Sequence, residues 1–165
     1  MSMEDRIRSV QKNFQYGAAF SRNLGLIQPD EQRRLQASTV AIAGLGGVGG
    51  VHLTTLARMG IGRFRLADFD CFEMENMNRQ VGACLSTLGR RKTDVMMEML
   101  SDINPDAGAE IYAEGIQPGN VAAFLDGVDV AVDALDYFAV DARTIFYHTA
   151  YERGIPVVAA GPLRG

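Results

Sequence analysis

Four glycines in one short segment could bring the backbone close to a phosphate group. Gly44, Gly46, Gly47 and Gly49 form the pattern G-x-G-x-x-G directly after the apolar run Thr39–Ala43. Glycine lacks a Cβ atom, so the chain can turn sharply there, and free N–H groups at the start of a helix attract the charge of a phosphate. Between a strand and a helix, this pattern predicts a nucleotide site. The alternative is that the glycines serve only close packing of the helix on the strand.

A carboxylate that could hold a ribose follows at Asp68. It lies 19 residues beyond Gly49, at the end of a second predicted strand. An acid at this distance commonly accepts hydrogen bonds from ribose hydroxyls. A nicotinamide-dependent oxidoreductase would use the same turn and the same acid, so these residues alone leave both ATP and NAD open.

Two cations farther along the chain favour a triphosphate. Arg79 lies in the segment from Asn76 to Gln80, and Lys92 begins the next predicted helix. Arginine presents a planar fork to phosphate oxygens and lysine a mobile point charge, and together they can neutralise charge that develops on a departing pyrophosphate. A ribose and a pyrophosphate need less positive charge than this pair supplies.

Alternating strands and helices would bring these segments to one edge of a sheet. Apolar periodicity and turn residues predict strands at 39–43, 64–68, 110–113, 128–132 and 156–160, and helices at 51–59, 91–103, 118–125 and 141–153. This alternation predicts an α/β fold with a doubly wound, mostly parallel Rossmann-like sheet and flanking helices. Residues 38–165 form the nucleotide-binding domain in this interpretation, and residues 1–37 form an N-terminal helical extension of it.

The extension is predicted from two helical segments. Ile7, Val10, Phe14 and Phe20 recur at roughly helical spacing, and a proline followed by acids begins a second helix near residue 30.

Composition limits the classes of partner. The 165 residues are 47% hydrophobic with a formal charge of -4, which indicates one globular domain without a basic field for nucleic acid. No apolar stretch near the N-terminus resembles a secretory signal and none is long enough to span a membrane, so a cytoplasmic protein without a membrane partner is expected. Cys71 and Cys84 form no CxxC pair and are expected to be reduced and structural.

Taken in order, these motifs resemble the ubiquitin-activating (E1-like) superfamily, which includes the bacterial activators of the sulfur carriers in thiamine and molybdenum-cofactor synthesis. The resemblance covers residues 20–165. It rests on Phe20-Ser21-Arg22-Asn23, the glycine turn, Asp68-Phe69-Asp70, Asn76-x-x-Arg79-Gln80, Lys92 and Asp133-Ala134-Leu135-Asp136.

The resemblance implies a site for ATP and Mg²⁺ in a homodimer. The catalytic group it implies is Arg22, Arg79, Lys92 and Asp136, and the nucleotide contacts are the four glycines with Asp68, Asp70, Asn76 and Gln80. Asp136 would hold magnesium, since a hard cation takes oxygen ligands. Arg22 would reach the γ-phosphate in the neighbouring subunit. As an alternative, Asp136 could simply cap the following helix.

The chain departs from the family pattern in three ways. Tyr137-Phe138-Ala139 lengthens the step from Asp136 to Val140-Asp141-Ala142-Arg143, which leaves the position of Arg143 open. Neither cysteine stands where the family's thioester or persulfide cysteine would, and the zinc-binding cysteine pairs are absent. The family's C-terminal half is therefore expected to be missing from this chain.

The function that the resemblance implies is adenylation of a carboxylate, with the C-terminal glycine of a ubiquitin-like sulfur carrier as the leading substrate. Asn78-Arg79-Gln80 and Ile103-Asn104-Pro105 also resemble the bacterial enzyme that activates and cyclises a modified tRNA adenosine. An NAD-dependent oxidoreductase and a non-catalytic half of a heterodimer are the remaining alternatives. Retention of Arg79, Lys92 and Asp136 argues against the last one.

Overall fold

The computed structural model describes residues 13–160. The expectations for Ile7 and Val10 and for the segment 161–165 lie outside the described residues. In chain order the elements are α1 (Tyr16–Ala19), a 3-10 turn (Ser21–Asn23), α2 (Pro29–Ala37), β1 (Thr39–Ala43), α3 (Gly47–Met59), β2 (Arg63–Ala67), a second 3-10 turn (Met74–Asn76), α4 (Lys92–Ile103), β3 (Gly108–Tyr112), α5 (Val121–Phe124), β4 (Val130–Asp133), α6 (Val140–Glu152) and β5 (Val157–Ala159).

The five strands form one parallel sheet in the order β3-β2-β1-β4-β5. Every residue of β1 is buried, as its continuous apolar run predicts for a central strand. The strand order reverses between β1 and β4, so the connections leave these two strands in opposite directions. Ligands bind at the carboxyl edge of such a switch point. The predicted doubly wound α/β fold is confirmed, and the sheet is parallel throughout.

The sheet has an apolar core on each face because side chains alternate along β1. Val40 and Ile42 face the cluster formed with α3 and α4, which includes Phe64 and Met96. Ala41 and Ala43 face the other cluster, formed with α5 and α6 and including Phe124 and Phe146. Burial of each large side chain stabilises the fold by about 1.5–3 kcal/mol. The two cores thus hold both layers of helices against the strands that carry the site.

The N-terminal extension packs on the C-terminal end of α3. The Tyr16 hydroxyl donates a hydrogen bond to the Gly60 carbonyl at 2.6 Å, and the Gln32 and Asn23 amides donate to the Met59 carbonyl at 2.9 and 3.2 Å. These bonds satisfy carbonyls that the end of a helix leaves without partners. Gly60 itself adopts φ 89°, as expected for a glycine that ends a helix.

This packing separates Arg22 from the glycine turn of its own chain. Arg22 is exposed and precedes Asn23, whose side chain is hydrogen-bonded to Met59, the last residue of α3. The glycine turn lies at the other end of this helix, which begins at Gly47. From Gly47 to Met59 a helix rises about 18 Å. That distance is well beyond the reach of an arginine side chain.

Candidate nucleotide site

The backbone makes two very close approaches at the glycine turn. A Cβ atom on Gly44 would lie 2.2 Å from the Ala134 carbonyl oxygen, and one on Gly49 would lie 1.8 Å from the Gly44 carbonyl oxygen. Gly44 also has φ 93°, which L side chains rarely adopt. Backbone packing by itself therefore requires glycine at these two positions.

The other two glycines leave space at the start of α3. A Cβ atom on Gly47 would come no closer than 3.4 Å to Arg79, and one on Gly46 no closer than 3.6 Å to Gln80, which is ordinary contact. Among the described residues no side chain caps the first turn of this helix. Uncapped N–H groups and the positive end of the helix dipole attract an anion there. Gly46 and Gly47 therefore form the part of the turn that suits a phosphate.

Asp68 joins the end of β2 to the glycine turn. One carboxylate oxygen accepts a hydrogen bond from the Leu45 amide at 2.7 Å, and the other accepts one from the Asp70 amide at 2.8 Å. Burial raises the pKa of the Asp68 carboxyl, and these two bonds oppose that rise. Each oxygen keeps a second lone pair, so the group can still accept hydrogen bonds from a ribose.

Asp70 and Lys92 form an ion pair beside Asp68. The Lys92 ammonium lies 2.9 Å from an Asp70 carboxylate oxygen and only 5% of the residue is exposed. The Lys92 amide also donates to the Asp70 carbonyl at 2.9 Å, which fixes the start of α4. The structure thus places Asp70 as the partner of Lys92. Since an ammonium has three N–H donors, the pairing leaves Lys92 able to bind phosphate oxygens.

The segment from Asn76 to Gln80 lies over the glycine turn. Asn76 is buried, and its side-chain oxygen accepts a hydrogen bond from the Glu73 amide at 3.0 Å. Arg79 is exposed, donates to the Glu75 carbonyl at 2.9 Å and packs against the backbone at Gly47. Gln80 is buried, and its side-chain oxygen has no hydrogen-bond partner among the described residues. Arg79 and Gln80 thus both lie beside the glycine turn.

Asp136 is exposed in the connection between β4 and α6. Its carboxylate accepts a hydrogen bond from the Phe138 amide at 2.9 Å, so it stabilises a turn within its own loop. Helix α6 begins at Val140, with Ala139 preceding it, so Asp136 is not the cap of that helix. The described residues contain no group of three or more acids, histidines or cysteines that could hold a metal ion. A magnesium ion at Asp136 would need phosphate oxygens and water as its other ligands, which is its usual preference beside nucleotides.

A buried cluster that was not predicted from the sequence lies behind this loop. Asp133, at the end of β4, is 4% exposed, lies 2.9 Å from the Arg143 guanidinium and accepts a hydrogen bond from the Tyr147 hydroxyl at 3.0 Å. Arg143 and Tyr147 are four residues apart and so share one face of α6. In the sequence, an acid at the end of a buried strand, followed by an arginine and a tyrosine four residues apart in the next helix, could have indicated this cluster.

The two cysteines are exposed, contrary to the structural role expected for them.

A scan against protein-family models matches residues 20–165 to the ThiF family. The chain belongs to the ThiF family.

Relatives of the chain include enzymes with different stated substrates. The tRNA threonylcarbamoyladenosine dehydratase of Haemophilus influenzae is 38% identical over 123 residues, which cover 74% of this chain and 47% of the relative. The SAMP-activating enzyme E1 of Haloferax volcanii is 33% identical and matches 80% of this chain and 48% of its own length. The chain thus spans about half the length of these two relatives.

A solved structure supports the assignment of the nucleotide. The E. coli tRNA N6-threonylcarbamoyladenosine dehydratase in complex with ATP matches with a TM-score of 0.83 and 28% identity, over 88% of this chain and 60% of that one. That related enzyme binds ATP on the same fold, and this ThiF-family chain has the glycine turn at the carboxyl edge of its sheet. No helix in the described part of the chain is long and apolar enough to cross a membrane.

Alanine substitutions should separate the two kinds of glycine. Gly49→Ala should destabilise the protein by about 3 kcal/mol or more, because the new methyl group overlaps backbone atoms that cannot move independently. Gly47→Ala is the matched control in the same helix turn; it should leave the free energy of unfolding within about 1 kcal/mol. Urea denaturation of both variants measures this. Equal losses of stability would contradict the distinction.

Asp68→Asn should change how stability depends on pH. Because burial raises the folded-state pKa of Asp68, its contribution to stability is largest below the unfolded pKa of about 3.9 and is lost as pH rises through the folded pKa. The stability of the wild type minus that of the variant should therefore fall between about pH 4 and about pH 7. Denaturation curves across this range test it, and a constant or rising difference would refute it.

Proposed function

We propose that this chain binds Mg·ATP at the glycine turn and adenylates a carboxylate. The observation that carries the proposal is an uncapped helix start with two basic residues near it: the backbone and aliphatic stem of Arg79 lie beside Gly47, and Lys92 lies buried near Asp68 and paired with Asp70. The ATP-bound relative supports a triphosphate over NAD as the ligand.

The residues fit a reaction that needs no nucleophilic side chain. The substrate carboxylate attacks the α-phosphorus of ATP, and the bond to pyrophosphate breaks as the acyl-adenylate bond forms. Arg79 and Lys92 would stabilise the charge on the leaving pyrophosphate, while Asp68 orients the ribose. Magnesium, when bound at Asp136, would supply further charge stabilisation at the phosphate oxygens. The protein's contribution is therefore orientation and fixed charge.

Two classes of carboxylate are candidates for the substrate. The first is the C-terminal glycine of a ubiquitin-like sulfur carrier, and the second is a threonylcarbamoyl-modified adenosine of tRNA. The tRNA class is supported by the higher identity of the Haemophilus influenzae relative, and the carrier class by the Haloferax volcanii relative and by the absence of a basic field. Pyrophosphate exchange into ATP, measured with each substrate added separately, decides between them.

The dimer has its own support in the structure. Arg22 is anchored one helix length from the glycine turn of its own chain, so it can reach a triphosphate only in another subunit. We infer that two subunits pack with the N-terminal extension of one beside the glycine turn of the other, and that each site is complete only in the homodimer.

Asp136→Asn in the intact protein should reduce the rate of pyrophosphate exchange by about a hundredfold while leaving much of the ATP affinity, because the amide keeps the turn but cannot neutralise a hard cation. A hundredfold loss corresponds to about 2.7 kcal/mol. The control is Asp141→Asn, an exposed acid in the first turn of α6. Near-normal turnover of Asp136→Asn, with an unchanged magnesium midpoint, would remove this residue from the site.

Mixing two inactive variants tests whether Arg22 acts across the dimer. Arg22→Ala and Asp136→Ala homodimers should each be inactive, and mixed dimers should recover up to about a quarter of wild-type activity, since half of the dimers are mixed and each carries one intact site. Pyrophosphate exchange is measured before and after subunit exchange, which native mass spectrometry verifies. Verified exchange without any recovery would mean that Arg22 serves no partner site.

A further inference from the structure

Arg143 contacts the loop that carries Asp136 at two points. One guanidinium nitrogen donates a hydrogen bond to the Leu135 carbonyl at 2.9 Å and another to the Tyr137 carbonyl at 3.4 Å. These carbonyls belong to the residues immediately before and after Asp136. A planar guanidinium can make such a bridge because its donors point in fixed directions, whereas an ammonium is a single point of charge.

Arg143 also contacts Asp133 at the end of β4, through an ion pair and through a hydrogen bond of 3.5 Å from a terminal guanidinium nitrogen. Its Nε atom lies 2.9 Å from an Asp133 carboxylate oxygen, and the same oxygen accepts the hydrogen bond from Tyr147. Burial and this hydrogen bond raise the pKa of Tyr147, which keeps its hydroxyl a donor. The Leu135 amide donates to the other Asp133 oxygen at 3.1 Å. Asp133 thus holds both the guanidinium and the first part of the loop.

The start of the loop is also fixed to the glycine turn. The Ala134 amide donates to the Ala43 carbonyl at 2.9 Å, and the Ala134 carbonyl lies where a side chain on Gly44 would be. The loop therefore runs from the backbone of the glycine turn to the guanidinium on α6. Between these two attachments Asp136 is exposed, and its hydrogen bonds within residues 13–160 are those of its own turn.

We infer that Arg143 is a positioning residue, which holds the Asp136 carboxylate in place relative to the glycine turn, where this carboxylate would help to hold a magnesium ion. The inference rests on the proposed function, in which Asp136 binds magnesium. Asp133 would not bind the metal ion, since its carboxylate is buried and its oxygens contact Arg143 and Tyr147 of α6 and the Leu135 amide of the loop. The longer segment Tyr137-Phe138-Ala139 contributes little burial that could hold the loop, because Tyr137 and Phe138 are 77% and 84% exposed and their rings contact each other.

Hydrogen exchange of the nucleotide-free protein tests the attachment of the loop. In Arg143→Gln the amides of Phe138 and Ala139, which are bonded to Asp136, should exchange about tenfold faster or more, while β1 and α3 keep their protection. Tyr147→Phe is the matched control, because it removes a hydrogen bond from Asp133 without touching the loop carbonyls; loop exchange should stay within about twofold. If exchange rises equally in β1, Arg143 is only a structural residue and the inference is wrong.

Calorimetry with ATP, with and without Mg²⁺, tests the consequence for the site. Arg143→Gln should bind metal-free ATP like the wild type but lose about fivefold to tenfold of the affinity gained from Mg²⁺, as expected when a charged ligand is less well placed. If Arg143→Gln does not fold, Arg143→Lys keeps a charge beside Asp133 without bridging both carbonyls and should show the same two changes.

The outcomes separate the inference from the function on which it rests. A variant that gains as much affinity from Mg²⁺ as the wild type overturns the role of Arg143 and leaves Mg·ATP binding intact. A wild type that binds ATP without any gain from Mg²⁺ overturns the assignment of the metal to Asp136, and this inference falls with it.

Discussion

The whole site depends on how closely the backbone of β1 approaches that of β4 where the strand order reverses. At Gly44 the carbonyl of Ala134 occupies the space of a side chain, and at Gly49 the carbonyl of Gly44 does the same. Without these contacts, α3 could not begin where it does and the loop after β4 could not lie beside it. Because Gly44 and Gly49 have no side chain, the start of α3 can lie next to the loop that carries Asp136. The other two glycines, Gly46 and Gly47, are then free to face a ligand.

Acidic residues at the carboxyl edge of the sheet perform separate tasks. Asp68 fixes the glycine turn through Leu45, Asp70 holds Lys92, and Asp133 holds Arg143 and Tyr147. In each case a buried or half-buried group gains hydrogen bonds or an opposite charge that offset the cost of removing it from water. Asp136 differs because, among the described residues, its exposed carboxylate is hydrogen-bonded to one neighbouring amide and is paired with no cation. The arrangement separates the acids that maintain the shape of the site from the one that is available to a cation.

Most of the fold could be predicted from the sequence because its strands are apolar and its helices periodic. The predicted bounds of β1 match the structure, whereas α3 begins at Gly47 instead of residue 51, since glycines have low helix propensity and hide the first turn. The predicted helix 118–125 is only Val121–Phe124. The motifs predicted Arg79 and Gln80 as site residues, and in the structure they lie beside Gly47 and Gly46. The Asp133–Arg143 pair was not predicted, because the contact depends on how the loop between the two residues folds, and the residue types alone do not determine that fold.

The length of helix α3 sets the distance between two parts of the proposed site. Its first residue opens the phosphate-facing turn, and its last residue accepts the hydrogen bond from Asn23, next to Arg22. In the proposed dimer, the number of residues in this helix therefore sets the separation between a subunit's own catalytic centre and the arginine that it lends to its neighbour. A change in the length of α3 would leave the subunit's own glycine turn intact but displace the Arg22 that it supplies to its neighbour. The position of Arg22 relative to the glycine turn is therefore set by the length of this one helix.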